Sequence, residues 1–442
     1  MTILHSTSSH GDGVSSLSGK DVQVQDDSIQ ECSDQEKSKQ WDSSDVETGQ
    51  TSNLSGNETV KCQDSGEHPD GGFWAWASAI AGHFVMMNSW GYNSSFGVFQ
   101  TYYTAHLDNP ASQIAWIGSV QVSVTFFVGS FAGRLTDAGH FHITFAMGTL
   151  LTCLGVFMTS LSTVYWQILL SQSICTGLGN GLLFTPTLAV VSTYFKRQRA
   201  LAFGITATGS ASGGLIFPSM ARQFFSTIGF GWTVRAVGLV QLVTLCLASF
   251  LLRPRVPPKR SGSVVDLASF KEKPYACFAA GVFLLNPPFS YTDSLNLLLV
   301  VNGVGMIGRS IPNAIAHRFG CITVLIPVTL TAGICMLAWP AVSTAGGLYG
   351  WASIYGIAAG AFQSLFPPAL SDLTTDAQKT GVRMGMVFTL NSIATLTGPP
   401  IAGTIIRKSG GQYLGAQVFA GVSLLLGGSL IMVARYLKGV YR

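Results

Sequence analysis

One arginine stands inside an otherwise apolar run. Arg309 lies eight residues before His317, where the run ends. At 1.5 Å per helical residue that is about 12 Å above the boundary, near the midplane of a hydrocarbon core about 30 Å thick. A guanidinium at that depth is costly and usually faces a central cavity. It can bind an anionic or carbonyl-bearing solute through two parallel hydrogen bonds. The other reading has it bonding backbone carbonyls of a neighbouring helix. His83, in the first apolar run, could carry a proton because imidazole titrates near neutrality, or could simply donate to a neighbouring helix.

Asn88, Tyr92, Asn93, Gln121, Asn180, Asn302, Phe362, Gln363 and Asn391 also fall inside apolar runs. Such side chains either line a cavity or knit helices together; the set is expected to reach substrate in part. Asp137, Asp293 and Asp372 sit only at run ends, so no carboxylate relay is evident. Either His83 titrates, or the protein is a facilitator, or protons travel with the solute. Asp137, Lys196, Arg197, Arg199 and Arg383 cluster at run ends and are expected to form a charge network that latches one conformation. Nucleotide-loop, HExxH and Ser/His/Asp patterns are absent, which argues against an enzyme. The eight cysteines show no metal or redox spacing, so neither metal nor cofactor is expected.

These groups need a membrane bundle to hold them. Of 442 residues only 10% are charged, against about 25% in soluble domains, and apolar runs of about 20 residues recur between short basic loops. Residues 1–70 differ: 14 carboxylates against 4 lysines give −10, whereas the rest nets +14. That tail is expected to be disordered and cytosolic. The basic excess lies in short loops and serves as a topology signal, not a nucleic-acid footprint.

Twelve spans are expected near 73–99, 113–132, 142–162, 165–192, 200–220, 231–252, 275–291, 294–316, 321–342, 346–370, 384–406 and 413–436. The loops that would share the tail's side carry 16 Lys and Arg, against Arg222, Arg407 and Lys408 on the other side. This bias places both termini in the cytosol. Span seven looks short, because 275–308 must supply most of two spans and is interrupted by Asn286-Pro287-Pro288. The expected layout is the tail 1–70, a six-helix half 71–252, a basic linker 253–274 and a second six-helix half 275–442. Internal similarity supports the division: Gly177 through Gly181, Pro186, Arg197, Arg199, Gly204 and Pro218 repeat in order as Gly356 through Gly360, Pro367, Lys379, Arg383, Gly385 and Pro399. Gly133-Arg134 likewise pairs with Gly308-Arg309. Two parallel six-span repeats mark a major-facilitator-type fold.

Three segments carry a family resemblance. Asp70-Gly71-Gly72-Phe73-Trp74-Ala75-Trp76 resembles the first-helix signature of the monocarboxylate transporter family, in the form common among its fungal members. Tyr194 through Gly204 resembles the signature leading into span five, and Gly398-Pro399-Pro400-Ile401-Ala402-Gly403 resembles the span-eleven motif. The resemblance covers about 70–436 and implies an all-α membrane protein, twelve helices in two pseudo-symmetric halves, and alternating access. Departures are equally specific: Ser94 falls near a lysine of proton-coupled members, and Gly305 stands one turn before Arg309, where those members carry aspartate. The expectation is a monomeric plasma-membrane carrier, by symport or facilitation, of a small organic acid or carboxyl-bearing metabolite. Its partners would be that solute and the bilayer. Export of a secondary metabolite, carriage of a vitamin-like solute, and a non-transporting solute sensor are the alternatives.

Overall fold

The computed structural model describes residues 71–195, 198–255, 267–285, 295–373 and 380–440. Expectations for the acidic tail, Lys196, Arg197, Asn286-Pro287-Pro288, Asp293, Lys379 and residues 256–266 of the basic linker fall outside them. Among the described residues the chain forms twelve helical runs. The first, α1, comprises Phe73–Met86, a π-helical turn Met87–Gly91, Tyr92–Ser94 and Phe96–His106. Then come α2 (Ala111–Asp137), α3 (Phe141–Thr159) and α4 (Tyr165–Tyr194, with a π-helical stretch Leu169–Cys175). They are followed by α5 (Arg199–Phe224), α6 (Gly229–Leu251), α7 (Lys273–Leu284) and α8 (Leu295–Phe319). The last four are α9 (Cys321–Ala338), α10 (Ala345–Leu373), α11 (Thr380–Lys408) and α12 (Leu414–Val440).

Eight of these, α2 to α6, α8, α9 and α12, are long and apolar enough to cross a membrane. The described part of α7 has 12 residues, about 18 Å of helix; the remainder of the expected span seven, 286–291, lies outside the described residues. The π-helical turn splits α1 into shorter pieces, and α10 and α11 dilute their apolar residues with Gly, Pro, Ser and Thr. Burial grades the bundle: 72% of the apolar window of α4 is buried but 33% of those of α6 and α12. Phe250, Leu150, Ile143 and Ile311 are exposed on outer faces, as lipid-facing side chains would be.

At the end of the bundle that carries the start of α1 and the end of α12, here the termini end, Gly72 takes φ +89, a conformation that favours glycine. The Arg253 guanidinium lies 3.8 Å from the Trp74 ring centroid, and the Tyr194 hydroxyl donates to the Arg253 carbonyl at 2.9 Å. The ends of α4 and α6 are thus tied to the start of α1.

Close glycine contacts set the packing, and they repeat. A Cβ on Gly177 or Gly181 of α4 would meet the carbonyls of Gln121 and Thr125 on α2 at 2.9 and 2.8 Å. A Cβ on Gly356 or Gly360 of α10 would meet the carbonyls of Val301 and Gly305 on α8 at 2.8 and 2.5 Å. Two further contacts cross between the two sets of six helices: Gly204 of α5 against Arg309 and Asn313 of α8, and Gly385 of α11 against Ser130 of α2. The glycines of α4, α10 and α5 let backbones approach where a methyl would intrude, the usual means of tight helix association in lipid, while at Gly385 a Cβ would meet Ser130 at an ordinary 3.4 Å. This packing corrects one sequence pairing. Arg309 matches Gly129 on α2, not Arg134, because Gly129 holds the place four residues beyond Thr125 that Arg309 holds beyond Gly305.

Candidate functional site

A cavity of about 750 Å³ lies between the two sets of helices. It runs from the α1–α2 and α11–α12 connections, where Ser112, Arg407 and Tyr413 line it, down to Phe184, Phe203, Arg309 and Phe366. Below this floor the bundle is closed toward the termini end. Phe388 of α11 packs against Phe126 of α2 and Phe184 of α4, each at a centroid distance of 5.4 Å, and against Phe366 of α10 at 5.7 Å. Trp90, carried by the π-helical turn of α1, extends the cluster to Phe126 and Phe184 at 5.1 and 5.5 Å. One turn closer to the termini end the Ser130 hydroxyl donates to the Gly385 carbonyl at 2.8 Å and lies 2.9 Å from the Thr389 hydroxyl. Aromatic packing plus a polar seam therefore plug one end, and the other end holds the opening.

Arg309 is 3% exposed and lines this cavity. Its side chain leans toward the start of α8, as helical side chains do, so the guanidinium curls back over Gly305. Nη2 donates to Gln363 Oε1 of α10 at 2.7 Å, and Nε is buried with no hydrogen-bond partner. Among the described residues no carboxylate forms an ion pair with it, and none lines the cavity. Arg407, exposed at the mouth, is the other cation of the lining among the described residues.

The sequence-expected residues divide sharply. Asn93, Asn302, Arg309, Phe362, Gln363 and Asn391 line the cavity. Asn302 Nδ2 also donates to the Leu298 carbonyl at 3.0 Å. The others face away. Asn88 donates to the Phe84 carbonyl and to Thr244 on α6, both at 2.8 Å. Tyr92 packs among Phe99 and Phe217. Asn180 accepts from Thr152 on α3 at 3.4 Å. Gln121 is 1% exposed, with neither amide atom hydrogen-bonded. His83 Nδ1 lies 3.1 Å from the Thr208 hydroxyl and 3.3 Å from the Ile205 carbonyl, both on α5. It takes the helix-knitting role and does not line the cavity.

The latch residues also separate. Arg197 lies outside the described residues, and Asp137 is the last residue of α2. Arg199 at the start of α5 feels the Asp372 carboxylate near the end of α10, and Asp372 Oδ2 accepts from the Cys321 amide at 3.3 Å. Arg383 does something else: it pairs with Glu272, its Nε donates to the Ser269 hydroxyl at 3.1 Å, and its carbonyl accepts from the Tyr275 hydroxyl at 2.8 Å. It clamps the short 3-10 helix Leu267–Lys271 ahead of α7 onto α11. Glu272 and Ser269 were not singled out by sequence reasoning, nor was the aromatic floor. Phe126, Phe184, Phe366 and Phe388 read as ordinary lipid-phase residues until packing gathers them.

Comparison with known proteins agrees with this architecture. Residues 79–312 match the Major Facilitator Superfamily model. An MFS-type transporter of Gibberella zeae is 47% identical over 403 residues, covering 86% of this chain and 91% of that protein. The agnestins efflux protein of Paecilomyces divaricatus is 36% identical, covering 80% and 86%. The aspyridones efflux protein of Emericella nidulans is 34% identical, covering 86% and 81%. Among solved structures, the human organic anion transporter MFSD10 superposes with a TM-score of 0.62 at 12% identity, covering 82% of this chain and 99% of that one; this likeness concerns the fold. The chain belongs to the major facilitator superfamily and is a multi-pass membrane transporter, not an enzyme.

Proposed function

We propose that this transporter exports a drug-sized, acidic secondary metabolite. The carrying observation is the cavity itself: about 750 Å³, in the range that holds drug-sized ligands, walled by aromatic rings, with Arg309 at its floor and no lining carboxylate among the described residues. A small monocarboxylate would leave most of that wall without contact. The relatives named for efflux of agnestins and aspyridones support the export direction, and the buried Arg309 in the cavity lining supports an acidic solute.

In this reading the six-helix halves 71–252 and 275–442, joined by 253–274, rock about the cavity, with all twelve runs across the plasma membrane and both termini cytosolic. The state described here, plugged at the termini end, is then the outward-facing one that releases cargo. The Ser130 seam holds it and must part for loading. The test is accumulation of a panel of aromatic carboxylic acids in a host lacking related exporters. Expressing the chain is expected to lower the cellular content of at least one acid severalfold. Unchanged content across the panel, with the protein at the cell surface, would contradict export and favour a solute sensor.

A further inference from the structure

Gly305 stood out in the sequence only as the place of a missing carboxylate and Gln363 only as a cavity-lining candidate, yet both lie against the buried guanidinium. A Cβ on Gly305 would lie 2.6 Å from Arg309 Nη1, well inside contact distance. The nearest atom of the partner helix is the Gly356 carbonyl oxygen, at an ordinary contact distance of 3.4 Å. The bare backbone at 305 is therefore not required by helix packing in the way Gly308 is, whose Cβ would strike the Ile357 carbonyl at 2.1 Å. What Gly305 makes room for is the guanidinium. On the far side, Gln363 Oε1 holds Nη2 at 2.7 Å. Gln363 is neutral, so it orients the cation without neutralising it. Nε stays buried and unpartnered.

An unneutralised cation in a low-dielectric site is unfavourable. We infer that Gly305 and Gln363 are positioning residues that hold Arg309 as an anion receptor left open on purpose, so that the cargo must be an anion whose own charge completes the pair. The occupied site is then neutral and the empty site charged. This rests on the cavity being the cargo site, and it adds the cargo's charge state. An aromatic body can lie against Trp90, Phe184 and Phe362 while its acidic group meets Arg309.

The test uses the full chain in lipid nanodiscs and two probes of one shape, 2-naphthoate and its uncharged amide, with affinities from calorimetry. The wild type is expected to prefer the carboxylate at least tenfold. In Gly305→Ala the methyl displaces the guanidinium, and the preference is expected to fall below twofold. In Gly305→Ala combined with Arg309→Lys, whose slim ammonium needs no such room, it should return to about fivefold. Should Gly305→Ala not fold, Gln363→Leu decides, with at least a threefold loss of preference expected. Absence of a carboxylate preference in the wild type overturns the inference. So does full preference in Gly305→Ala or Gln363→Leu, or failure of the lysine variant to recover it. Failure of export is read separately: charge preference without efflux from cells keeps this inference and removes the export reading.

Discussion

The helix pair α2/α4 and the helix pair α8/α10 are built alike and furnished differently. Both are held by two glycines four residues apart, set against backbone carbonyls of the partner helix. At the place on α2 where α8 carries Arg309 stands Gly129, and at the corresponding place on α4 where α10 carries Gln363 stands Phe184. Both pairs contribute aromatic rings to the floor, Phe126 and Phe184 from one and Phe366 from the other, but only α8/α10 adds a buried cation with its neutral orienter. Identical backbone packing thus leaves side-chain chemistry free to differ. The cavity is lined by aromatic rings from both pairs and by a buried cation from the α8/α10 pair alone, an asymmetry that suits the proposed cargo.

The largest expected effect breaks the shared frame. Gly308→Leu drives a side chain into the Ile357 carbonyl, and an overpacked helix contact costs about 3 kcal/mol or more. The yield of monodisperse protein on size exclusion is expected to collapse. Gly133→Leu on α2 has more room, its nearest contact being Thr185 Cγ2 at 3.2 Å. It should cost about 1 kcal/mol, visible as a small fall in Tm. Next comes the charged side. Arg309→Gln removes hydrogen bonds to an ion, worth roughly 1.5–3 kcal/mol, so transport of a carboxylate should weaken about ten- to a hundredfold in KM. Phe184→Leu acts on the α2/α4 pair. It removes ring contacts worth about 0.5–1.5 kcal/mol and should weaken carboxylate and amide alike, leaving their ratio unchanged. The smallest effect is at the seam. Ser130→Ala removes a hydrogen bond worth about 0.6 kcal/mol in a membrane bundle. It should raise, by about threefold, the labelling rate of a cysteine placed at Met386 by a thiol reagent applied from the termini end.

How far the sequence disclosed this molecule depends on the kind of signal. Apolar runs, basic loops and repeated glycines disclosed the bundle, since burial in lipid and close helix approach each demand particular residue types over many positions. Arg309 stood out for the same reason, since a charge in an apolar run needs a cavity. Depth, however, does not report direction around a helix. Asn88, Tyr92, Gln121 and Asn180 share apolar runs with cavity-lining residues yet face helix neighbours; for Asn88 and Tyr92 the π-helical turn Met87–Gly91 of α1 shifts which side chains look inward, and Gln121 and Asn180 sit on buried faces of α2 and α4. That turn brings Trp90 to the cavity wall and leaves Asn88 against α6. The sequence contains no mark of it. Arg383 showed the opposite failure: its charge was noticed, but its partner Glu272 lies 111 residues earlier in the chain, a pairing that only the fold reveals. Gly305 looked like a mere loss of a carboxylate until the guanidinium was seen occupying its space.

The most direct measurement of the central claim is uptake into inside-out vesicles carrying the wild type or Arg309→Gln, for matched aromatic carboxylates and amides. Wild-type vesicles are expected to accumulate carboxylates over amides at least tenfold, and Arg309→Gln vesicles to show no such difference. Equal accumulation of carboxylate and amide by the wild type, or an undiminished carboxylate preference in Arg309→Gln, would contradict a cavity built around an open charge.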